Sequence, residues 1–340
     1  MNKKRLRKYL ITTGICLVSF FILTLLTFKL TPWPSALFIR YIFNKEGKKV
    51  NEQLIKYTPD GIAAINNEQY IDGDADAKLD LYFPSSLSNT QHLLPVIVWV
   101  HGGGWIAGSK DQMSSYCKIL ASKGFCVIAI DYSLAPGTIY PRPVVQTNKA
   151  LKYINKHSKR FHADTSRFIL AGDSGGAHIV AQTANIITAP SYAKLVGVNP
   201  GIHNDQLSGL ILYCGPYNAE FVDQKGEAGI FLETVLWSYS GKKDYNSVPG
   251  FKAASVIHYL TKDFPPSFIS AGNGDPLLPH SQALVAKLNS LKVKVDSLFF
   301  KKDHSPSLPH EYQFNLDTPE GMLALENSVR FLKLITDKKR

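Results

Sequence analysis

The sequence predicts an α/β fold, a mostly parallel sheet with helices on both faces. Three observations lead there. Strand-like and helix-like segments alternate from about residue 62, the central strand-like segments are continuous apolar runs, and several of them run directly into glycines. In open sheets of this kind ligands gather beyond the carboxyl ends of the strands, so the residues following each strand carry the functional question.

The elements follow in order. "KLDLYFP" (78–84) alternates with period two, and "LLPVIVWVH" (93–101) is an unbroken apolar run. "SYCKILASKG" is a helix closed by Gly124, leading to the buried strand "FCVIAIDY". A helix near 144–158 precedes the strand in "RFILAGDS", and another helix starts at about residue 176. After these come the strand "SGLILYCGPY", the strand in "PSFISAGNGD", the helix "HSQALVAKLNS", the strand "KVDSLFF" and a last helix over "TPEGMLALENSVRFLKLI". Residues 218–250 break the rhythm. There "EAGIFLETVLWSYSGKKDY" spaces apolar residues as a helix does, which suits a small cap above the strand ends; a solvated crossover loop is the alternative.

The N-terminus is an address. Residues 9–28, "YLITTGICLVSFFILTLLTF", hold twenty residues without a charge, long enough to cross a hydrocarbon core. A retained transmembrane anchor over 9–30 is expected in place of a cleaved signal peptide, because Pro34 stands at the −3 position of the Ala36 cleavage site. The basic segment 1–8 orients the N-terminus to the cytoplasm by the positive-inside rule. Residues 31–61 are expected as a juxtamembrane linker, with Trp33 and "ALFIRYIF" as an interfacial collar. The folded domain, 62–337, then lies outside the cytoplasm. No Asn-x-Ser/Thr sequon occurs, which favours a bacterial inner membrane with the domain on its periplasmic or outer face.

Composition excludes other classes. The net charge of +11 points to nucleic acid only until it is located: eight of those charges sit in residues 3–8 and 338–340, leaving +3 over residues 9–337 with no basic module among them. No nucleic-acid partner is expected. Four scattered cysteines, Cys16, Cys117, Cys126 and Cys214, lack metal-ligand spacing and cannot form a disulfide scaffold.

The chemistry concentrates in "GDSGG" (172–176), set between a strand and a helix. A Gly-x-Ser-x-Gly turn there brings strand and helix close while presenting the serine hydroxyl, so Ser174 is the candidate nucleophile. Alone the motif is weak. "HGGGW" (101–105) strengthens it, because consecutive glycines expose backbone N–H groups where an oxyanion would develop; Gly103 and Gly104, with the N–H of Gly175, are the candidate donors. Losing one such donor typically costs about 3 to 4 kcal/mol of transition-state stabilisation. Among later acids Asp275 stands out, ending "FISAGNGD" before Pro276 on the same carboxyl edge. His304 and His310 both follow the next strand, and spacing does not separate them. His178 and His280 fall on helices and suit packing, while Asp131 in "DYSLAP" suits support of the glycine loop.

Together "HGGGW", "DYSLAP", "GDSGG", "GNGDPLL" and "LPHEYQF" resemble the α/β-hydrolase superfamily, in particular its hormone-sensitive-lipase-like esterase branch, over roughly residues 70–337. The resemblance implies the α/β-hydrolase fold, with Ser174 as nucleophile, His310 in preference to His304 as general base and then acid, and Asp275 orienting the imidazole. The branch commonly has alanine where this chain has Gly175, and "DYRLAPE" where it has "DYSLAPG". The expected function is a membrane-anchored serine carboxylester hydrolase acting on a small-molecule or lipid-like ester, with neither metal nor organic cofactor implied. An amidase or peptidase on the same triad and a non-catalytic hydrolase-like binding domain are the alternatives.

Overall fold

The computed structural model describes residues 3–219 and 229–337. Part of the expected cap, 220–228, and the residues at the two ends, 1–2 and 338–340, lie outside the described residues. Helix α1 (Lys3–Leu30) contains the apolar stretch; its residues Arg7–Leu30 have mean hydropathy 2.3 and none is buried within the protein. Two residues later α2 (Trp33–Leu54) begins, with Pro34 in its first turn, where a missing N–H costs nothing.

This helix occupies most of the segment expected as a linker, and it is seated on the domain. Ala36 and Leu54 are buried, Arg40 donates to the carbonyls of Ile106 and Ala135, and Asn44 Oδ1 accepts from Gly108 N at 2.9 Å. Its opposite face leaves Leu37, Phe38 and Tyr41 exposed.

The chain then builds β1 (Ile62–Gln69), β2 (Lys78–Pro84), β3 (Leu94–Val100), α3 (Ser114–Ala121), β4 (Cys126–Ile130), α4 (Arg142–Lys156) and β5 (Ala163–Asp173). It continues through α5 (Ser174–Thr188), α6 (Pro190–Val196), β6 (Leu207–Tyr213), α7 (Gly229–Ser240), β7 (Ser267–Ser270), α8 (Leu278–Ser290), β8 (Val295–Leu298) and α9 (Pro319–Thr336). Among the described residues the strands form one sheet in the order β1-β2-β4-β3-β5-β6-β7-β8. Only β2 runs against its neighbours β1 and β4; every pair from β4 to β8 is parallel, as the alternation of strand and helix predicts.

Period-two alternation divides the interior into two cores. Val96, Val98 and Val100 of β3 face one side with Leu170 and Leu212, under α4, α5 and α8; Ile97 and Trp99 face the other with Ile169 and Ile211, under α3 and α9. Both faces being covered, the central strands can be apolar throughout. Their carboxyl ends are the open edge of this sandwich.

Candidate active site

The serine elbow is shaped by what stands behind it. Ser174 leaves β5 at φ 48°, in the left-handed region, and starts α5. A non-glycine residue there carries strain of roughly 1 kcal/mol or more. Glycines on either side are dictated by contact: a Cβ on Gly176 would strike the carbonyls of Val100 and His101, and one on Gly172 would stand 2.8 Å from the Val100 oxygen. Helix and strand therefore approach as only glycine permits.

The glycine loop turns beside this elbow. Gly103, Gly104 and Trp105 take φ of 100°, 59° and 63° in succession, and the Gly103 carbonyl accepts from Ala107 N at 3.0 Å, closing the turn. The backbone nitrogens of Trp105 and Gly104 lie 3.1 and 3.3 Å from where a Cβ on Gly175 would be. Two loop nitrogens thus converge on the residue after the serine. Trp105 is one that sequence reasoning did not single out, because only the folded turn shows which nitrogens come forward. Beside the loop lies α7, with Val235 and Phe231 packed at Gly104.

The acid and the histidine meet through two loops. His310 Nδ1 lies 2.9 Å from Asp275 Oδ2, while Asp275 Oδ1 accepts from Leu277 N at 2.7 Å. Asn273 Oδ1 accepts from Leu308 N at 2.8 Å, and Gly274 N donates to Leu308 O at 2.9 Å, stitching the Asp275 loop to the His310 loop. His304 is turned elsewhere, 3.0 Å from Glu320 Oε1 and against the Phe300 ring. The register pairs Asp173 with Tyr213, so Ser174 and Cys214 leave neighbouring strands side by side. His310 lies against Cys214, which brings the imidazole to the serine's end of the sheet.

Electrostatics follow from burial and charge. Burial opposes the imidazolium of His310, but Cys214, Asp275 and Glu311 outweigh it and hold the group well above its ordinary value. Burial pushes the Cys214 thiol up to about 11. One ligand atom each from Cys214, Asp275 and His310 fall within 4.8 Å of one another, a set that could also hold a soft metal ion.

The remaining candidates are structural. His178 bonds the Ala254 carbonyl at 2.7 Å, and burial lowers it to about 4; His280 is buried on α8. Asp131 Oδ1 accepts from Lys110 N at 2.7 Å, below the glycine loop, and burial raises it to about 6. Cys117 and Cys126 are free and buried. Asp173 and Glu311, which no motif marked beyond their place beside the serine and histidine, meet at Gly102.

A family model described as BD-FAE matches residues 79–289, more than half of the chain. Esterase LipQ of Mycobacterium tuberculosis is 26% identical over 226 residues, which make up 65% of this chain and 51% of LipQ. Carboxylesterase NlhH of the same organism is 26% identical over 271 residues, 77% of this chain and 79% of NlhH. An inhibited esterase B from Lactobacillus rhamnosis has a TM-score of 0.76 at 21% identity, covering 89% of this chain and 97% of that one. The likeness to that solved structure is one of fold, and LipQ itself is spanned over only about half its length.

Proposed function

This chain belongs to the BD-FAE family, within the hormone-sensitive-lipase-like esterase branch of the α/β-hydrolases, and we propose that it is a serine carboxylester hydrolase held on a membrane by its N-terminal helix. The observation that carries this reading is the Asp275–His310 pair, delivered beside the Ser174 elbow and its glycine loop.

Ser174 Oγ attacks the ester carbonyl while His310 Nε2 takes the hydroxyl proton, and Asp275 holds the Nδ1–H and stabilises the imidazolium. Backbone N–H groups of Gly103, Gly104 and Gly175, joined by Trp105, receive the oxyanion. His310 returns the proton to the leaving alcohol, giving acyl-Ser174. Water, deprotonated by His310, then releases the carboxylic acid and restores the serine.

The substrate proposed is a small or lipid-like ester, since apolar Phe231 and Val235 of α7 roof the glycine loop. Membrane anchoring is supported by α1, whose apolar stretch is unburied within the protein, and by the cationic N-terminus that orients it. With residues 1–8 cytoplasmic and 9–30 spanning, the domain over 62–337 works outside the cytoplasm, in a bacterial envelope by the absence of sequons.

The test is hydrolysis of p-nitrophenyl esters of graded chain length, beside Ser174→Ala and His310→Ala and an organophosphonate label. Turnover and labelling that both variants lose are expected. A folded wild-type protein that neither turns over nor labels would move the reading to a binding domain; faster turnover of matched amides would move it to an amidase.

A further inference from the structure

Cys214 stands in the site, and the ester chemistry does not use it. It leaves β6 at φ 44°, fully buried, in a backbone conformation that few non-glycine residues adopt. By strand register it is the neighbour of Ser174. Its Sγ, one oxygen of Asp275 and one ring nitrogen of His310 all lie within 4.8 Å of one another. Among the described residues no other group of three histidine, cysteine or acidic side chains converges in this way. The other strand-end histidine, His304, meets Glu320 at 3.0 Å without a thiol in the set.

Thiolate, imidazole and carboxylate are the three donor types that zinc takes, and three protein ligands with an open fourth position are the pattern of accessible zinc centres. Bonds of about 2.3 Å to sulfur and about 2.0 to 2.2 Å to nitrogen and oxygen set tetrahedral ligand atoms roughly 3.3 to 3.6 Å apart. Asp275 Oδ2 and His310 Nδ1 stand at 2.9 Å, so this pair has only a few tenths of an ångström to open. The sulfur has roughly 1.3 Å at most to close, within reach of small side-chain rotations. The Asp275 side chain is fully buried, but that of His310 is 32% exposed and gives an ion its way in.

We propose that Cys214, Asp275 and His310 form an inhibitory zinc site, which switches the hydrolase off by withdrawing its general base. Binding forms Zn–S, Zn–N and Zn–O bonds to the thiol, a neutral imidazole and the carboxylate, and leaves the fourth position to water. The thiol proton goes to solvent and no atom changes oxidation state. With Nδ1 as ligand, the one ring proton sits on Nε2; with Nε2 as ligand, its lone pair is spent. Either way His310 has no basic nitrogen left to take the Ser174 proton. The effect on turnover rests on the triad reading above, whereas the coordination itself does not.

The experiment uses the full-length protein in detergent micelles, freed of metal by EDTA and gel filtration, with Cys16→Ala as parent because that thiol is exposed. Zn²⁺ is titrated against kcat/KM on a short-chain p-nitrophenyl ester. Cd²⁺, a zinc stand-in, is titrated against its ultraviolet thiolate charge-transfer band. The parent is expected to lose about tenfold in kcat/KM at roughly 10 µM free Zn²⁺, to recover with EDTA, and to show the band. Adding Cys214→Ala should abolish the band and demand about 100-fold more Zn²⁺ for the same fractional loss from that variant's own metal-free rate. Cys214→Ser, closer in size, should behave alike and guards against lost packing in the alanine variant. His304→Ala should keep both responses. A zinc-insensitive parent, zinc sensitivity unchanged by Cys214→Ala and Cys214→Ser, a band that both variants keep, or responses lost with His304→Ala overturns the proposal. Ser174→Ala separates the two failures: if it binds Cd²⁺ through Cys214 yet still turns over ester, the nucleophile assignment falls and the metal site stands.

Discussion

Arg40 Nε donates to the carbonyl of Ile106 at 2.5 Å, so a helix that starts two residues beyond the apolar helix α1 holds the loop that carries Gly103 and Gly104. The same guanidinium reaches the Ala135 carbonyl at 2.8 Å, and the Phe43 ring meets Phe231 of α7 at 5.4 Å between centroids. Helix α2 therefore packs against both the glycine loop and α7.

Removing α2 should matter more than removing α1. A chain starting near residue 31 is expected to keep its activity, whereas one starting near residue 55 loses it. Arg40→Ala leaves two carbonyls without a charged donor and is expected to lower stability by about 1.5 to 3 kcal/mol in urea unfolding. Wild-type stability in that variant would show that α2 contributes nothing through Arg40.

As the proposed general base, His310 is expected to set the acid side of the pH profile. Because His310 acts as a base only when neutral and its proton is held above the ordinary imidazole range, kcat/KM should rise with an apparent pKa above the usual 6.5. Asp275→Asn removes one of the groups that raise it, so the acid limb should move down while kcat falls by about 10³ to 10⁴-fold. An unmoved limb would place the titration elsewhere.

The elbow glycines are not equivalent. Gly176→Ala drives a methyl into the Val100 and His101 carbonyls and is expected to cost about 1 to 3 kcal/mol or prevent soluble folding. Gly175→Ala meets backbone nitrogens at 3.1 and 3.3 Å, a tight fit, and replaces a helical glycine. Its thermal stability should stay within about 1 kcal/mol of wild type. Equal losses at the two positions would contradict the close approach of α5 and β3.

If α1 spans a bilayer, the outer face of α2 begins at its surface. Leu37, Phe38 and Tyr41 are exposed there, while the second half of the helix turns charged with Lys45, Lys48 and Lys49. Spin labels at 18, 38 and 49 in the full chain reconstituted into vesicles should report deep, interfacial and aqueous positions by quenching depth. An aqueous label at 18 would remove the anchor; a buried 18 with an aqueous 38 would remove only the interfacial face.

Much of this protein was determined by sequence alone, for reasons that are local. The sheet is legible because runs such as "PVIVWV" have no soluble alternative to burial, and the parallel order follows from a helix after nearly every strand. The turn at Ser174, the glycine turn at 102–104 and the strand end before Asp275 are legible because strained turns admit few residue types and because strand ends share one edge. The choice between His304 and His310 was beyond spacing; the loop stitched by Asn273 and Gly274 turns the first toward Glu320 and brings the second to Asp275. Helix α2 was hidden because its apolar outer face and few inward anchors look like a linker when nothing shows what Arg40 and Asn44 touch. The approach of Asp173 and Glu311 to Gly102 was likewise decided by tertiary structure only, since two acids far apart in the chain carry no local signal.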